Sequence, residues 1–341
     1  MALRRQYKRS VAVRFGNAST VLSEDPRFSV KNLDDDGVRI AFQFTRTNRS
    51  ESDKGVLRFW NLNEVTRKGI ETDFALQRSL RRGIEQGFVA VPDDAARAAA
   101  LKAISDQYLV QVFAGYDNQP RLVFRGTMLN VKQVRDGLVD RVTEVELGDG
   151  LLGLRDGYLN QAFAPGTLVE NVLRAAEAAI GAKRSLTGEA FVTAVAPNAV
   201  VTQLSNGYVA AGRATDTIDE VVDLYGLQWW VRDGEVYYVP QGAVLNDFSV
   251  LLQQGSSLLD FQEPQGFEDT KGRSLLQPDV VPGRGLLLLD AAGVPLNAVG
   301  FRCNSVVHAG DTHGDAWYSD FEAVKATAAV VAPLAEFSDL P

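Results

Sequence analysis

The residues able to do chemistry are few, and most lie close together. The 341-residue chain has two histidines and one cysteine. His308 and His313 share one stretch with Asp311 and Asp315, spaced H-x-x-D-x-H-x-D. Imidazoles and carboxylates at that density suggest a metal-assisted or cell-wall-degrading hydrolase. The spacing fits no metal-ligand pattern, and Gly310 and Gly314 suit turns better than a rigid ligand-bearing helix. The reading preferred is a structured loop between two antiparallel strands, with Asp and His side chains bonding turn amides. Cys303 precedes His308 by five residues, which on a regular strand puts the two on opposite faces. It reads as a small buried hydrophobe.

Gly148-Asp-Gly150-Leu-Leu-Gly153 matches the dinucleotide fingerprint G-x-G-x-x-G, with Glu170 near the offset of the ribose-binding acid. A Rossmann site needs a parallel βαβ unit. The preceding strands read as a hairpin, and Asp156-Gly157 breaks any helix soon after, so a glycine-rich turn is expected. Nucleophile-elbow, Walker A, H-E-x-x-H and EF-hand patterns are absent. No catalytic, cofactor-binding or metal-ligating residue is assigned, and the chain is read as a non-enzyme. Asp34-Asp35-Asp36 reads as a solvated turn. The basic start (Arg4, Arg5, Lys8, Arg9, Arg14) reads as an edge segment that meets an acidic neighbouring subunit or prevents edge aggregation, rather than a phosphate-binding arm.

The elements around these residues are mostly strands. Val11, Val13 and Phe15 alternate, as do Val38, Ile40, Phe42 and Phe44, with Arg39, Gln43 and Arg46 expected mostly on the other side. After a strand Val56–Trp60, Asn63 offers an N-cap to a short helix from Glu64 to about Glu71. Leu76, Leu80, Ile84 and Phe88 then form a helical stripe, and Pro92-Asp93-Asp94 opens a second helix running to about Gln107. Strands resume at Tyr108–Ala114. Arg121–Arg135 and Leu138–Leu147 flank Asp136-Gly137 as a long two-residue hairpin, an arm or barrel wall, with Gly126 marking a bulge or bend.

From Gly166 the texture is mixed. Thr167-Leu-Val-Glu170 reads as a capping box, opening a helix that buries Leu168, Val172, Leu173, Ala176 and Ile180 and stops at Gly181. A second helix from Thr215-Asp216 turns Ile218, Val221, Val222 and Tyr225 inward, followed by a hairpin Leu227–Arg232, Asp233-Gly234, Glu235–Pro240. The last third is strand and turn again (Gly255–Leu259, Pro264–Phe267, Pro278–Gly285, Phe301–His308), and the end from Ala326 to Pro341 reads as a loose tail.

Composition narrows the class. With 45% hydrophobic residues the chain packs a core, and one cysteine excludes a disulfide-stapled module. A net charge of −8 disfavours nucleic-acid wrapping. No apolar run reaches the ~18 residues of a membrane span, and cytosolic synthesis is expected. The fold class expected is α+β, in four parts. Residues 1–150 form a first β domain with a helical insertion at about 64–107, and 151–245 an α+β domain. Residues 246–325 form a second β domain, completed by non-contiguous strands, and 326–341 a tail.

Several segments in order resemble the baseplate hub proteins of contractile-tailed phages, and the hub part of type VI secretion spike proteins. They are Gly37–Phe44, Leu57-Arg-Phe59-Trp-Asn61-Leu62-Asn63 with Thr66-Arg67, Gln111–Tyr116, Leu122–Gly126, and Phe163-Ala-Pro-Gly166-Thr167. Further on come Tyr225-Gly226, Trp229-Trp230, Asp233-Gly234, Tyr237-Tyr238, Pro282-Gly283 and Val306–Tyr318 with its H-x-G-D…W. The stretch Thr72–Gln107 departs from the compact family pattern.

The resemblance implies two tube-like antiparallel β-barrel or sheet domains per chain and a homotrimer. Such a trimer is an adaptor between the sixfold tail tube and the threefold central spike, located in the virion's tail baseplate. The implied neighbours are a tail tube or tube-initiator protein above, the spike below, a tape-measure protein in the lumen and wedge proteins outside. No membrane, sequence-specific nucleic acid or cofactor is implied. Val38–Phe44 as an edge strand and the Asp136-Gly137 hairpin are the interface candidates.

Overall fold

The computed structural model describes residues 8–17, 28–32, 37–48, 53–149, 154, 157–185, 203–224, 226–240, 242–245, 249–262, 270–297 and 299–326. Arg4, Arg5, the Asp34–Asp36 run, Gly150–Gly153, Tyr225, Pro264–Phe267 and the tail beyond Ala326 lie outside them.

The first third is built from β1 (Arg9–Gly16), β2 (Phe28–Asn32), β3 (Ile40–Thr47), β4 (Lys54–Trp60), α1 (Glu64–Glu85), α2 (Asp94–Gln107), β5 (Leu109–Tyr116), β6 (Arg121–Asp136) and β7 (Asp140–Gly148). The middle holds β8 (Tyr158–Phe163), α3 (Val169–Ile180), β9 (Lys183–Arg184), β10 (Tyr208–Arg213), α4 (Ala214–Asp223), β11 (Leu227–Arg232) and β12 (Glu235–Pro240). The last third holds β13 (Val250–Gln253), β14 (Leu258–Gln262), β15 (Thr270–Leu275), β16 (Gly285–Leu289), β17 (Phe301–Asp311) and β18 (Trp317–Lys325).

The first and last thirds share one 13-stranded sheet, ordered β14-β15-β18-β17-β3-β4-β7-β6-β5-β1-β2, with β16 also beside β17 and β13 beside β16. Every pairing in it is antiparallel except β13 with β16. The class is α+β, as expected, and the sheet does not close into a barrel among the described residues. One core lies against the early strands, around Phe44, Phe59 and Phe124; a second lies against the late strands, around Leu252, Phe301 and Phe321. The middle elements have their own core around Ile218, Trp229 and Tyr238.

Several local expectations hold because they rest on local chemistry. Asn63 caps α1, its Oδ1 accepting the Thr66 amide at 2.8 Å, and Asp93 caps α2 through the Ala96 amide at 2.7 Å. An Asn63→Ala variant should lose about 1 kcal/mol in urea unfolding. The β11–β12 hairpin turns at Asp233 (φ 54°) and Gly234 (φ 83°), the positive pair that a tight two-residue turn requires.

Others are corrected. The two helices expected before residue 92 are one, α1, of 22 residues. Its inward face is Ile70, Asp73, Gln77 and Ile84, so Leu76, Leu80 and Phe88 of the expected stripe are exposed. Thr167 forms no capping box; α3 starts after Leu168 without a side-chain cap. Asp136 pairs with Asp140, so the long hairpin turns through three residues, Gly137-Leu138-Val139, instead of two. Val38–Phe44 is no sheet edge, because β3 is flanked by β4 and β17; the strands at the ends of the sheet path are β2 and β14. Arg46 shares its face with Ile40, Phe42 and Phe44, since all four positions are even, and it is buried.

β17 carries the largest surprise. Its register on β18 shifts between Cys303 and Ser305, a bulge that adds one residue. Cys303 opposes Ala323 and His308 opposes Ser319, four positions apart on β18, so the two face the same way rather than opposite ways. Before the bulge β17 pairs with β16, and after it with β3. Cys303 is fully buried, as expected of a small hydrophobe, and burial pushes its thiol up to about 12.

Candidate functional site

The His308–Trp317 segment is spread along the end of β17, its turn and the start of β18. His308 is fully buried with Nδ1 2.8 Å from Ser319 Oγ. Burial, then the Arg46 charge, push its pKa down to about 3, against the Val280 backbone, so the ring is neutral. Asp311 is held by Arg39, Oδ2 to Nη2 at 2.7 Å, and accepts the His313 amide at 2.9 Å. Its pKa lies below the usual carboxylate range because the Arg39 and amide contacts together outweigh burial, the largest single influence. His313 is exposed, with Nδ1 2.9 Å from Thr312 Oγ1, and Asp315 is exposed. The four residues therefore serve different partners. No three His, Cys, Asp or Glu side chains among the described residues gather as a metal cluster.

What this segment does instead is clasp the two ends of the chain. Gly310 lies against the Phe42 ring, where any Cβ would collide. Trp317, buried, meets Phe42 edge-on at 5.8 Å and Tyr116 at 6.3 Å. Arg9 stands 5.4 Å over the Trp317 ring, and its Nη1 donates to the carbonyls of Asp311 (2.8 Å) and Gly314. Arg9 thus spends its charge within its own chain, and its strand β1 lies between β2 and β5 rather than at an edge.

A second site was not foreseen: a buried charge cluster where the main sheet meets the middle unit. Arg46, from β3, lies 3.3 Å from Asp233 and 3.9 Å from Asp53, both ion pairs. Asp149, next to β7, accepts the Asp233 amide through Oδ2, and its own amide donates to the Asp53 carbonyl at 3.0 Å. Asp53 also accepts the Thr47 amide at 3.1 Å. Three carboxylates thus converge on one guanidinium, itself stacked 5.4 Å over Phe124. Burial pushes Asp53 up to about 7 despite Arg46, and pushes Asp149 well above its usual range, with Asp233 and Asp53 adding to the rise. Asp149 is the second residue of the glycine-rich fingerprint, and Asp233 opens the β11–β12 turn; no local signal joins them to Arg46. An open cavity of about 340 Å³ beside them is lined by charges of both signs, among them Lys102, Asp106, Arg125 and Lys183.

Glu170 does not act as a ribose acid. It pairs with Arg184 (2.6 Å) and Arg174 (2.8 Å), while Arg184 also grips Glu177, which accepts the Tyr238 hydroxyl at 2.7 Å. This buried network ties α3 to β9 and β12. Of the expected interface elements, the long hairpin stands out from the sheet, with Leu138 and Val139 fully exposed at its tip.

No protein-family model matches the chain, and no curated protein matches it. Solved structures do. The tail protein from Neisseria meningitidis MC58 aligns over 93% of this chain and 97% of its own, at 8% identity and TM-score 0.52. The 43 kDa tail protein of prophage MuSo2 from Shewanella oneidensis aligns over 93% and 98%, at 8% identity and TM-score 0.53. A type VI secretion component from E. coli aligns over 87% of this chain and 76% of its own, at 8% identity and TM-score 0.48. Over 93% of its length the chain shares the fold of these two tail proteins.

Proposed function

We propose that this protein is the structural hub of a phage tail baseplate: a trimeric adaptor joining the sixfold tail tube to the threefold central spike. The observation that carries the proposal is the likeness to two tail proteins, which spans 93% of this chain and nearly all of theirs. The two sheet halves, one on each core, are the two tube-like units of each subunit, and three subunits present six. The middle unit, roughly residues 151–245, packs beside that ring and is locked to it by the Arg46 cluster. Sheet-mediated ring closure would cover the end strands β2 and β14, whose free backbone groups otherwise invite aggregation.

The neighbours in this reading are a tube or tube-initiator protein above and the spike below, with a tape-measure protein in the lumen and wedge proteins outside. The work is done by shape and side chains, with no catalytic step. Electron microscopy of the parent particle tests it: three copies should sit on the axis between tube and spike. Density for this chain in the outer sheath or the capsid would overturn the assignment.

A further inference from the structure

On a chain of net charge −8, two surfaces stand out for their unbalanced charge. The first lies along α1 where it runs beside β6. Two grooves in series, of about 340 and 350 Å³, are lined by Arg78 and Arg82 in one and by Arg67, Arg135 and Arg141 in the other. The carboxylates of the helix that form pairs are taken up by its own cations, Glu64 by Lys68, and Glu85 by Arg81, the two lining the first groove together. The five arginines form no ion pair among the described residues, and Glu71 is the one acid in the second groove. Exposed apolar side chains stand beside Arg135 and Arg141, Leu138 and Val139 at the hairpin tip, whereas Leu76 and Leu80 lie on the opposite side of α1 from Arg78 and Arg82. Clustered arginines next to an apolar hairpin tip suit a protein partner carrying carboxylates.

The second surface is α4. Asp216, Asp219, Glu220 and Asp223 follow one another with no lysine or arginine in the helix. Three of them accept hydrogen bonds, Asp219 from Trp229 Nε1 at 2.6 Å, Glu220 from the Tyr208 hydroxyl at 2.7 Å and Asp216 from the Thr215 hydroxyl at 3.3 Å, and the nearest basic residue in sequence is Arg213, just before the helix. Leu224 and Val209 are exposed nearby. The four helices are linked in order, α1 packing on α2, α2 on α3 and α3 on α4, so the helices that carry the basic and the acidic residues are the first and last of the series.

We infer that the α1 helix of one subunit docks on the α4 helix of a second copy of this chain, head to tail, and that repetition of this contact reinforces the ring that the sheet ends close. A heterologous contact of this kind makes a closed ring when its rotation fits and a filament when it does not. The inference rests on the trimeric reading above and specifies the surfaces that would make it.

The test uses the full-length chain and light scattering with sedimentation. Wild type should self-associate at about 50 mM NaCl and do so about tenfold or more weakly at about 500 mM, as screened charge pairs do. R78E/R82E/R135E and, separately, D216K/D223K should each be monomeric, with melting temperatures near wild type. A chain carrying both sets should associate again, because its two faces are complementary with reversed sign; a variant that merely misfolds would not be rescued so. Trimers unaffected by salt and by either set would overturn the inference and leave the hub reading standing. A wild type monomeric at both salts would also overturn it, as would a basic face that binds a single-stranded DNA probe without self-association. The position of the chain in the particle tests the hub reading separately.

Discussion

R46M is expected to lower the unfolding free energy by about 3–5 kcal/mol at pH 8, although its side chain nearly matches arginine's apolar stem. The loss arises from what stays behind. Asp53, Asp149 and Asp233 would face one another without the guanidinium between them, two of them buried, and a buried carboxylate that loses its counter-charge either loses hydration or takes up a proton. The deficit should therefore depend on pH. In the wild type, Asp53 is raised to about 7 and Asp149 is raised as well. Groups raised in this way contribute stability that is complete below the ordinary carboxylate pKa and is lost as pH climbs through the folded value.

His308 works against them. Held near 3 when folded, it costs stability as pH drops below its ordinary value and the unfolded chain takes up a proton. Removing Arg46 lifts the two carboxyls further and relieves part of the pressure on His308. Both changes favour the variant in acid. Urea unfolding at pH 5 and pH 8 should show a deficit smaller at pH 5 by about 1 kcal/mol or more. A deficit equal at both values would mean that the cluster is not the proton-sensitive junction described.

The second large effect is expected at Trp317. W317A should cost about 3–5 kcal/mol, the range for deleting a buried aromatic. The indole fills the space among Phe42, Tyr116 and Arg9, which belong to β3, β5 and β1, while its own strand β18 comes from the last third of the chain. Its loss should therefore loosen the clasp between early and late strands more than either part alone. Hydrogen exchange should rise at β1 and at the β17–β18 turn, and W317F should recover most of the stability. A W317A protein within about 1 kcal/mol of wild type would show that the clasp is not structural.

These two sites differ in how far the sequence exposed them. The H-x-G-D…W segment drew attention through residue type, and its structural role could be inferred because glycines and a spacing unlike any ligand set pointed to a turn. The Arg46 cluster was hidden for two reasons. A charged residue at the end of a strand suggests solvent, which masks the even-numbered place that Arg46 shares with Phe42 and Phe44. Its counter-charges come from residues 53, 149 and 233, which only the tertiary fold assembles.

The same division holds for the elements. The Asp233-Gly234 hairpin and the Asn63 and Asp93 caps are set by neighbours a few residues away, and each was legible. The inward face of α1 is set by docking on β6, which buries Asp73 and Gln77 and leaves Leu76 and Leu80 outside, so periodicity misled. The bulge after Cys303 depends on how β17 must meet two different partners on one edge, and no single-strand pattern reports that.

That shared edge has a consequence for how the protein is made. β3 leaves the ribosome long before β17, one of its two neighbours; the Asn48 and Asn304 side chains that bond across this seam at 3.1 Å are 256 positions apart. Until the last third is synthesised, β3 must wait with an open flank carrying Phe42 and Phe44, while the middle unit can already fold on its own core. Pairings so distant in sequence form late and slowly. A nascent or truncated chain ending before residue 301 would thus expose a strand edge beside aromatic surface, the kind of intermediate that aggregates or engages chaperones. Completion of the seam thus depends on β17 having been made, and only a subunit that has passed this point has the continuous sheet needed to enter an assembly.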